Sequence, residues 1–320
     1  METMSTERKA IAVDFGGTSI KIGVTQGATI LEKAQPLPTA AYDSPAAIIA
    51  AMCATIRSLL ELHPDAAAVG LGMPGWVDFH KGVLYQLTNV PVWDHEVPVR
   101  EVMQAELGLP IVLDNDANAM AYAEWKLGAG RGLQSMVCLT LGTGIGGGIV
   151  LHDRMLRGRN VSAAELGQTS IHFNGRVGPF GNRGAIEEYI GNNELAADAA
   201  RLYTAAGSPR SAQQCTPKLL EEAARAGDPI ARQVYEDFAE KLACLIMNMM
   251  YALVPEAFII GGGVSRAGDL LFAPLEARLR EQLFPVHAAN LRLLPAHFGA
   301  DSGLVGAGLM AADYAAGKLL

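Results

Sequence analysis

Three glycine-rich turns, each directly after a short apolar stretch, constrain the fold of this chain more than any other feature. The turns lie in residues 14–21 (DFGGTSIK), 141–148 (LGTGIGGG) and 261–265 (GGGVS). An apolar stretch that ends in glycines is typical of a buried strand followed by a tight turn. After the first two turns the composition is again β-type, so the sequence predicts a strand–turn–strand unit that occurs twice.

Helical patterns alternate with these strands. Residues 44–63 have helical periodicity, with Ser44 as N-cap and Pro45 at the first helical position. Further helices are predicted at 117–127, 228–253 and 302–316, and further strands at 67–73, 110–113, 135–141, 148–151, 257–260 and 291–294. This alternation predicts an α/β fold.

The organisation into domains follows from what separates the two halves of the chain. No segment rich in proline, serine or charge lies between them, which favours lobes joined by a hinge over independent domains. We expect an N-terminal α/β lobe at 1–120 and a C-terminal α/β lobe with a helical insertion at 121–300. A last helix within 301–320 is expected to pack back on the N-terminal lobe.

The composition argues against several classes of protein. Half of the 320 residues are hydrophobic, and the net charge of -8 opposes nonspecific binding to nucleic acid or to anionic membranes. No apolar run approaches the ~20 residues that cross a bilayer. The four cysteines lie far apart, which favours packed thiols over metal ligands or disulfides. We therefore expect a cytoplasmic protein with a small-molecule partner.

The first turn has the residue types that phosphate chemistry needs. Gly16 and Gly17 let backbone amides approach phosphate oxygens closely. Thr18 can donate a hydrogen bond, and Lys21 can offset negative charge. Asp14, at the end of the predicted strand, can hold a hydrated magnesium ion. The alternative is an ordinary β-hairpin turn, for which the same glycines suffice.

The second turn contains GxGxGG rather than the dinucleotide fingerprint GxGxxG, and it leads into a strand instead of a helix. Both features argue against a dinucleotide site of the Rossmann type. The third turn precedes a helix, and its glycines are equally consistent with a left-handed backbone turn.

Polar residues cluster where the predicted strand at 110–113 gives way to a helix. Within residues 113–118 (LDNDAN), Asp116 is the candidate general base, because phosphoryl transfer to an alcohol needs a carboxylate that deprotonates the attacking hydroxyl. Helix capping is the alternative role for these residues. Glu165 and Glu187 lie beside glycines and can accept hydrogen bonds from sugar hydroxyls, with solvent-exposed glutamates as the alternative.

In their order and spacing, these segments resemble the ROK family of repressors, open reading frames and kinases, within the actin-like ATPase superfamily. The matching segments are DFGGTSIK (14–21), GMPGWVD (72–78), TNVPVW (88–93), LDNDANAMAYAE (113–124), LGTGIGGG (141–148), AELGQ (164–168), GNRGAIEEYIG (181–191) and IIGGGVS (259–265). The resemblance implies a two-lobed actin-like ATPase fold, of the ribonuclease H-like type, with nucleotide and sugar in the cleft between the lobes.

The resemblance also implies a role for each motif. The phosphates and magnesium of ATP would be bound by the first turn, with Asp14 holding the ion through water: Asp14, Gly16, Gly17, Thr18 and Lys21. The transferred phosphate would lie near Thr143 and Gly144, and the adenosine against Gly262 and Gly263. The sugar would contact Gly75, Asn89, Asn115, Asp116, Glu165, Gln168 and Glu187, with Asp116 also acting as base.

One segment departs from the family pattern. Family members commonly carry a zinc site made by a histidine that closes E-x-G-H and by three cysteines, and these positions here hold Gln168, Gly178, Phe180 and Ala185. None of the four is an ordinary zinc ligand. We therefore expect no structural zinc and a loop that packs around Phe180 instead. A glutamine amide can donate and accept hydrogen bonds, so Gln168 can still contact a sugar.

By this resemblance, the leading hypothesis is an ATP-dependent hexose kinase that phosphorylates the 6-hydroxyl of glucose with Asp116 as base. An N-acetylglucosamine or N-acetylmannosamine kinase is the alternative, and zinc-free relatives leave polyphosphate open as the phosphate donor. The family resemblance and the apolar residues 245–251 favour a homodimer, although that segment is equally suited to a core.

Two functions from other classes are weaker hypotheses. A sugar-responsive repressor of the same family would need a helix-turn-helix region, for which the thirteen residues before Asp14 are too few. A catalytically silent sugar-binding protein is opposed by the intact turns and by Asp116.

Overall fold

The computed structural model describes residues 8–87, 90–159 and 163–319 of the chain. The strands of the first part are β1 (Lys9–Phe15), β2 (Ser19–Gln26), β3 (Thr29–Lys33), β4 (Leu37–Pro38), β5 (Val69–Met73), β6 (Val77–Asp78), β7 (Val83–Leu84) and β8 (Ile111–Asn115). They form a sheet in the order β3–β2–β1–β5–β8, with β4 beside β2 and with β6 and β7 as a separate hairpin. The strands β3, β2 and β1 are antiparallel, whereas β1, β5 and β8 are parallel.

The second part of the chain builds a sheet of the same design. Its strands are β9 (Met136–Leu141), β10 (Ile145–Leu151), β11 (Arg154–Met155), β12 (Ala257–Gly262) and β13 (Leu293–Pro295). Their order is β11–β10–β9–β12–β13, with three antiparallel strands followed by two parallel additions. The predicted repeat of a strand–turn–strand unit is therefore confirmed, and it extends to whole sheets.

Ten α-helices accompany the sheets within the described residues. They are α1 (Pro45–Leu62), α2 (Val99–Leu107), α3 (Asp116–Leu127), α4 (Glu187–Ile190), α5 (Asn192–Ala205), α6 (Pro217–Arg225), α7 (Pro229–Leu253), α8 (Asp269–Gln282), α9 (Pro285–Ala289) and α10 (Ser302–Ala315). The predicted N-cap of α1 is confirmed, because the Ser44 hydroxyl accepts a hydrogen bond from the Ala47 backbone amide at 3.3 Å. The helices α4 to α7 lie between β11 and β12 in the chain and form a large apolar cluster with the second sheet.

The helices α3 and α10 join the two sheets through a shared buried cluster of mostly small apolar side chains. α10 is rich in small residues because the backbones approach closely there. A Cβ atom at Gly70 of β5 would collide with the Ala307 carbonyl of α10, and one at Gly306 would collide with the Ala119 carbonyl of α3. The last helix therefore packs on the first sheet, while the domain boundaries drawn from the sequence stay a prediction.

The strand β10 begins at Ile145, three residues before the predicted start at 148. The glycines that indicate a turn in the sequence are paired with β9 in regular register. They serve helix packing: a Cβ atom at Gly146 would lie 2.9 Å from the Ala117 Cβ, and one at Gly148 would collide with the Ala121 Cβ. Part of the second glycine motif is thus needed for the contact between β10 and α3.

Two apolar segments contribute to the interior. In residues 245–251, Leu245, Ile246 and Met250 are buried in the second cluster, which favours the core interpretation of that segment and leaves the homodimer a prediction. Among the described residues, α1 alone has the length and apolar composition of a membrane span. Since Ile48 and Ile56 of α1 are fully buried against the first sheet, we interpret it as a core helix.

Candidate active site

A cavity of about 500 Å³ opens between the two sheets, next to the turns that follow β1 and β9. Nine of the predicted site residues line it: Gly17, Thr18, Gly75, Asn115, Asp116, Thr143, Gly144, Glu165 and Glu187. Six others are described by the structure but lie outside this lining: Asp14, Gly16, Lys21, Gln168, Gly262 and Gly263. Asn89, also predicted to contact the sugar, falls outside the described residues.

The first turn is held by hydrogen bonds and by one ion pair. The Gly16 amide donates to the Ser19 carbonyl at 3.0 Å, and the Thr39 hydroxyl donates to the Gly16 carbonyl at 2.9 Å. The Lys21 ammonium lies 2.8 Å from the Asp14 carboxylate. Gly17 and Thr18 are exposed at the tip, so their backbone and hydroxyl groups face the cavity.

The second turn receives its carboxylate from a distant segment. Glu187, the first residue of α4, accepts a hydrogen bond from the Ile145 backbone amide at 2.8 Å. Its Oε2 oxygen lies so close to Gly144 that a Cβ atom there would collide with it. Glu187 was predicted from the sequence as a sugar partner only, and its contact with the phosphate turn was not foreseen.

The polar cluster at the end of β8 combines capping with exposure to the cavity. Asn115 is the N-cap of α3, since its side-chain oxygen accepts from the Ala117 amide at 2.9 Å. Its side-chain nitrogen donates to the Gly75 carbonyl at 3.2 Å. The capping alternative therefore holds for Asn115. Asp116 is the first residue of α3, lines the cavity and is partly buried.

Gly75 shows why glycine is required beside Asn115. Its φ is +79°, in the left-handed region that favours glycine. A Cβ atom at this position would also collide with the Gln86 carbonyl oxygen. The backbone carbonyl that Asn115 binds thus depends on glycine for its position.

Two carboxylates of the cavity have strongly shifted pKa values. Burial raises the pKa of Asp116 to about 6, the hydrogen bond from the Ala117 amide opposes this shift, and the negative charge of Asp14 adds to it. Glu165 opens onto the cavity, and partial desolvation by the cavity walls raises its pKa to about 7, with the charges of Asp116 and Glu187 contributing. At neutral pH, Asp116 is mostly ionised, whereas Glu165 titrates near neutrality.

Gln168 lies behind Glu187 and binds it rather than lining the cavity. Its side-chain nitrogen donates to Glu187 Oε1 at 3.2 Å. Asn182 donates to both the backbone oxygen and the side-chain oxygen of Gln168, at 3.1 and 3.2 Å. This amide pair ties the loop that follows Gln168 to the second turn.

The loop between Gln168 and Glu187 packs differently from the prediction. Phe180 is 48% exposed, so the prediction that the loop packs around this side chain is wrong. Phe180 instead contacts Trp76 of the first lobe, with ring centroids 5.5 Å apart. Arg176 fixes the loop to its own lobe, because its amide donates to the Tyr189 hydroxyl at 2.9 Å and its guanidinium covers the Tyr189 ring. Hydrogen bonds and stacking hold the loop.

The residues present do not fit the family's zinc site. The four family positions carry Gln168, Gly178, Phe180 and Ala185. Within the described ranges, no cluster of three or more His, Cys, Asp or Glu side chains is arranged to hold a metal ion. An amide, two residues without polar side-chain atoms and an aromatic ring do not supply the thiolate and imidazole donors that zinc requires.

The third turn lies at the same edge of the second sheet as the second turn. Gly262 pairs with Leu141 across the β9–β12 ladder, and its φ is +93°. A Cβ atom at Gly262 would collide with the Leu141 backbone, whereas Gly263 has open space. The turn is therefore adjacent to the residues that begin the second turn.

Sequence reasoning missed one buried ion pair beside the site. Asp114, the residue before the N-cap, accepts from the Asn115 amide at 2.8 Å and from the Asn118 side chain at 2.9 Å. Arg157, which follows β11, donates to its other oxygen at 2.7 Å. Asp114 belongs to the polar segment 114–118, so the sequence marks it as a candidate site residue. No local sequence pattern marks Arg157 as its partner.

Comparison with known proteins gives consistent matches over nearly the whole chain. Residues 10–314 match the ROK family. A glucokinase from Thermotoga maritima is 34% identical in an alignment 309 residues long that covers 93% of this chain and 96% of that protein. A glucokinase from Streptomyces coelicolor is 33% identical in an alignment 320 residues long that covers 95% of this chain and 97% of that protein.

Solved structures give the same result. A ROK family glucokinase from Streptomyces griseus, crystallised with glucose and AMPPNP, matches with a TM-score of 0.79 and 32% identity. The match covers 95% of this chain and 99% of that chain. The predicted two-lobed actin-like fold is thereby confirmed, with the cavity between the lobes.

Proposed function

The chain belongs to the ROK family, and from this premise we propose that it is an ATP-dependent sugar kinase that phosphorylates the 6-hydroxyl of glucose. Glucokinases at 33–34% identity over most of both chains support glucose as the acceptor. We further propose that the enzyme requires magnesium, acts in the cytoplasm and forms a homodimer.

The observation that carries this proposal is the convergence of three features on one cavity. Two glycine turns from the two sheets and Asp116, a carboxylate with a raised pKa, all line it. Phosphoryl transfer needs amide groups that receive phosphate oxygens on one side and a base that receives a hydroxyl proton on the other. Nothing else described in the chain brings these groups together.

Asp116 acts as the general base in this mechanism. With a pKa of about 6 it is ionised at neutral pH, yet it is basic enough to accept the proton of a sugar hydroxyl as that oxygen attacks the phosphorus. The position of the carboxylate is set by its place as first residue of α3, directly after the N-cap residue Asn115.

The sugar is oriented by groups around Asp116. Asn115, Glu165 and Glu187 present amide and carboxyl groups to the cavity and would bind the remaining hydroxyls. Because the pKa of Glu165 is raised to about 7, its carboxyl group can donate a hydrogen bond when protonated and accept one when ionised.

The phosphate chain is bound by backbone amides of the two turns. Thr18 and Thr143 are exposed at their tips, where their hydroxyls can donate to phosphate oxygens. Asp14 would hold magnesium through water, which fits the preference of this ion for one or two carboxylates plus phosphates, and the ion would offset phosphate charge. Closure of the lobes excludes water from the reacting groups.

A coupled assay for ADP release tests the proposal. Glucose is compared with mannose, N-acetylglucosamine, N-acetylmannosamine, allose and fructose, with ATP and with polyphosphate as donors. We expect the highest kcat/KM with glucose and ATP, and no turnover without magnesium. A higher kcat/KM for an N-acetylhexosamine would reassign the acceptor, and turnover of no sugar at all would refute the proposal.

A further inference from the structure

Glu187 lies between the part of the cavity assigned to the sugar and the turn assigned to the phosphates, and both of its oxygens are hydrogen bonded inside the protein. Oε2 accepts from the Ile145 amide at 2.8 Å. Oε1 accepts from the Gln168 side chain at 3.2 Å. Since each carboxylate oxygen has two lone pairs, both can also accept from a ligand in the cavity.

Asn182 extends this arrangement into the loop. Its amide donates to the backbone oxygen and to Oε1 of Gln168, at 3.1 and 3.2 Å. The two contacts fix the Gln168 amide with its nitrogen toward Glu187, because the oxygen is already occupied. A continuous series of hydrogen bonds therefore runs from Asn182 through Gln168 and Glu187 to the Ile145 amide.

Close packing makes the series stiff. A Cβ atom at Gly144 would collide with Glu187 Oε2, and one at Gly167 would lie 3.1 Å from the same oxygen. The Asn192 amide, five residues after Glu187, donates to the Gly142 carbonyl at 3.0 Å. Glu187 thus has little room to move independently of the second turn.

We propose that Glu187, oriented by Gln168 and Asn182, couples hexose binding to nucleotide binding. The inference rests on the proposed kinase function and adds a thermodynamic link between its two substrates. A hexose hydroxyl that donates to Glu187 reduces the negative charge density of the carboxylate beside the second turn and fixes its contact with Ile145. Both changes favour phosphate oxygens at that turn.

The coupling acts in both directions. If the sugar raises the affinity for the nucleotide by some factor, the nucleotide raises the affinity for the sugar by the same factor. Asn182 takes part as a positioning residue, since it does not line the cavity and its side chain donates to Gln168.

Isothermal titration calorimetry of the full chain with magnesium measures the link without turnover. The Kd for AMPPNP is determined with and without saturating glucose, and the Kd for glucose with and without AMPPNP. For the unaltered chain we expect both ratios to agree and to be at least about fivefold, in the usual range of site-to-site coupling.

Two substitutions remove the support for Glu187 from outside the cavity. Asn182→Ala deletes the donor, and Asn182→Asp replaces it with an acceptor that repels the Gln168 oxygen. We expect the coupling factor to fall to within about twofold of one in both, with the Kd for AMPPNP alone nearly unchanged. Asn174→Ala is the matched control, because Asn174 is an exposed asparagine of the same loop, and it should keep the full factor.

Gln168→Leu provides a second route if the Asn182 variants do not fold, since leucine fills similar space without donating to Glu187. A full coupling factor in any folded Asn182 or Gln168 variant would overturn the proposal, as would a factor of one in the unaltered chain when both ligands bind. Failure of the unaltered chain to bind any hexose would refute the proposed function itself, and the coupling with it.

Discussion

The first and second glycine turns occupy equivalent places in two sheets of the same strand order, yet they obtain their charges in different ways. The first turn carries its own carboxylate and ammonium, with Asp14 and Lys21 paired at 2.8 Å. Residues 141–148 of the second turn contain no charged side chain. Their carboxylate is Glu187, which binds Ile145 from 42 positions further along the chain.

The two turns thus differ in how a proposed phosphate site is built: the first depends on residues next to each other in the chain, and the second on tertiary packing. The first turn is electrostatically self-contained, so a short segment specifies both its shape and its charge. The second turn has no charged side chain of its own, so its electrostatics depend on the packing of α4 against it. Because the charge of Asp14 acts on Asp116 and the charge of Glu187 acts on Glu165, the two constructions meet in the same cavity.

Replacement of Asp116, the proposed base between the turns, has the largest expected effect. Asp116→Asn keeps the shape of the side chain but removes its basicity, so we expect kcat for glucose phosphorylation to fall by ~10²-fold or more. The Kd for AMPPNP should change little, because the turns themselves are intact. Steady-state kinetics and calorimetry measure the two quantities.

A matched control for this variant is Asp153→Asn, at an exposed position outside the cavity where the backbone φ of +61° suits asparagine. It should retain kcat within about twofold. If Asp116→Asn lost less than about tenfold in kcat, the two turns would not serve a reaction that depends on this carboxylate.

A methyl group added to the second turn tests its dependence on Glu187. In Gly144→Ala the new Cβ would collide with Glu187 Oε2, and that carboxylate cannot retreat without breaking its contacts with Ile145 and Gln168. We expect the free energy of unfolding to fall by about 1–3 kcal/mol, as for overpacking elsewhere. Urea unfolding followed by circular dichroism measures the change.

The control lies two residues away in the same turn. A Cβ atom at Gly142 would have its nearest neighbour 4.0 Å away, so Gly142→Ala should change the free energy of unfolding by less than about 0.5 kcal/mol. If the two substitutions lower the free energy of unfolding equally, the backbone of the turn itself determines which side chains it tolerates, and contact with the distant Glu187 carboxylate does not.

The sequence was sufficient where a feature is local. The cap at Ser44, the run of residues that leads from β8 into α3 and the charged first turn all depend on neighbours within a few positions, and periodicity and residue type indicate them. The prediction of Asp116 as base depended on the same local signal, a carboxylate where a strand ends and a helix begins. The structure places this carboxylate in a cavity with residues of both glycine turns.

Features that depend on distant packing were missed or misread. The pair of Arg157 with Asp114 spans 43 positions, and no local pattern marks its partner. The glycines of 146–148 suggested a turn, because the sequence does not show that α3 would pack against them. Phe180 was expected inside its loop for its apolar ring, but Trp76 of the other lobe offers it a partner at the surface.

The smallest expected effect is a pH shift that tests how far the charge of the first turn reaches. Since Asp116 must be ionised to act as base and its pKa is about 6, kcat/KM should decline as the pH falls through about 6. The negative charge of Asp14 disfavours ionisation of Asp116, so Asp14→Asn should lower the pKa of Asp116. The acid limb, which is the fall of kcat/KM on the acidic side of the pH profile, should then move to lower pH by about one unit at most.

The partner of Asp14 predicts a shift of opposite sign. Lys21→Met removes the cation that lies 2.8 Å from Asp14, which leaves more of the negative charge to act on Asp116 and should move the acid limb to higher pH. Both variants should also lose activity through weaker phosphate binding, but that loss lowers kcat/KM at every pH and does not move the acid limb. If the acid limb stays at the same pH in both variants, the charges of the first turn do not reach Asp116. The raised pKa of Asp116 would then result from desolvation alone.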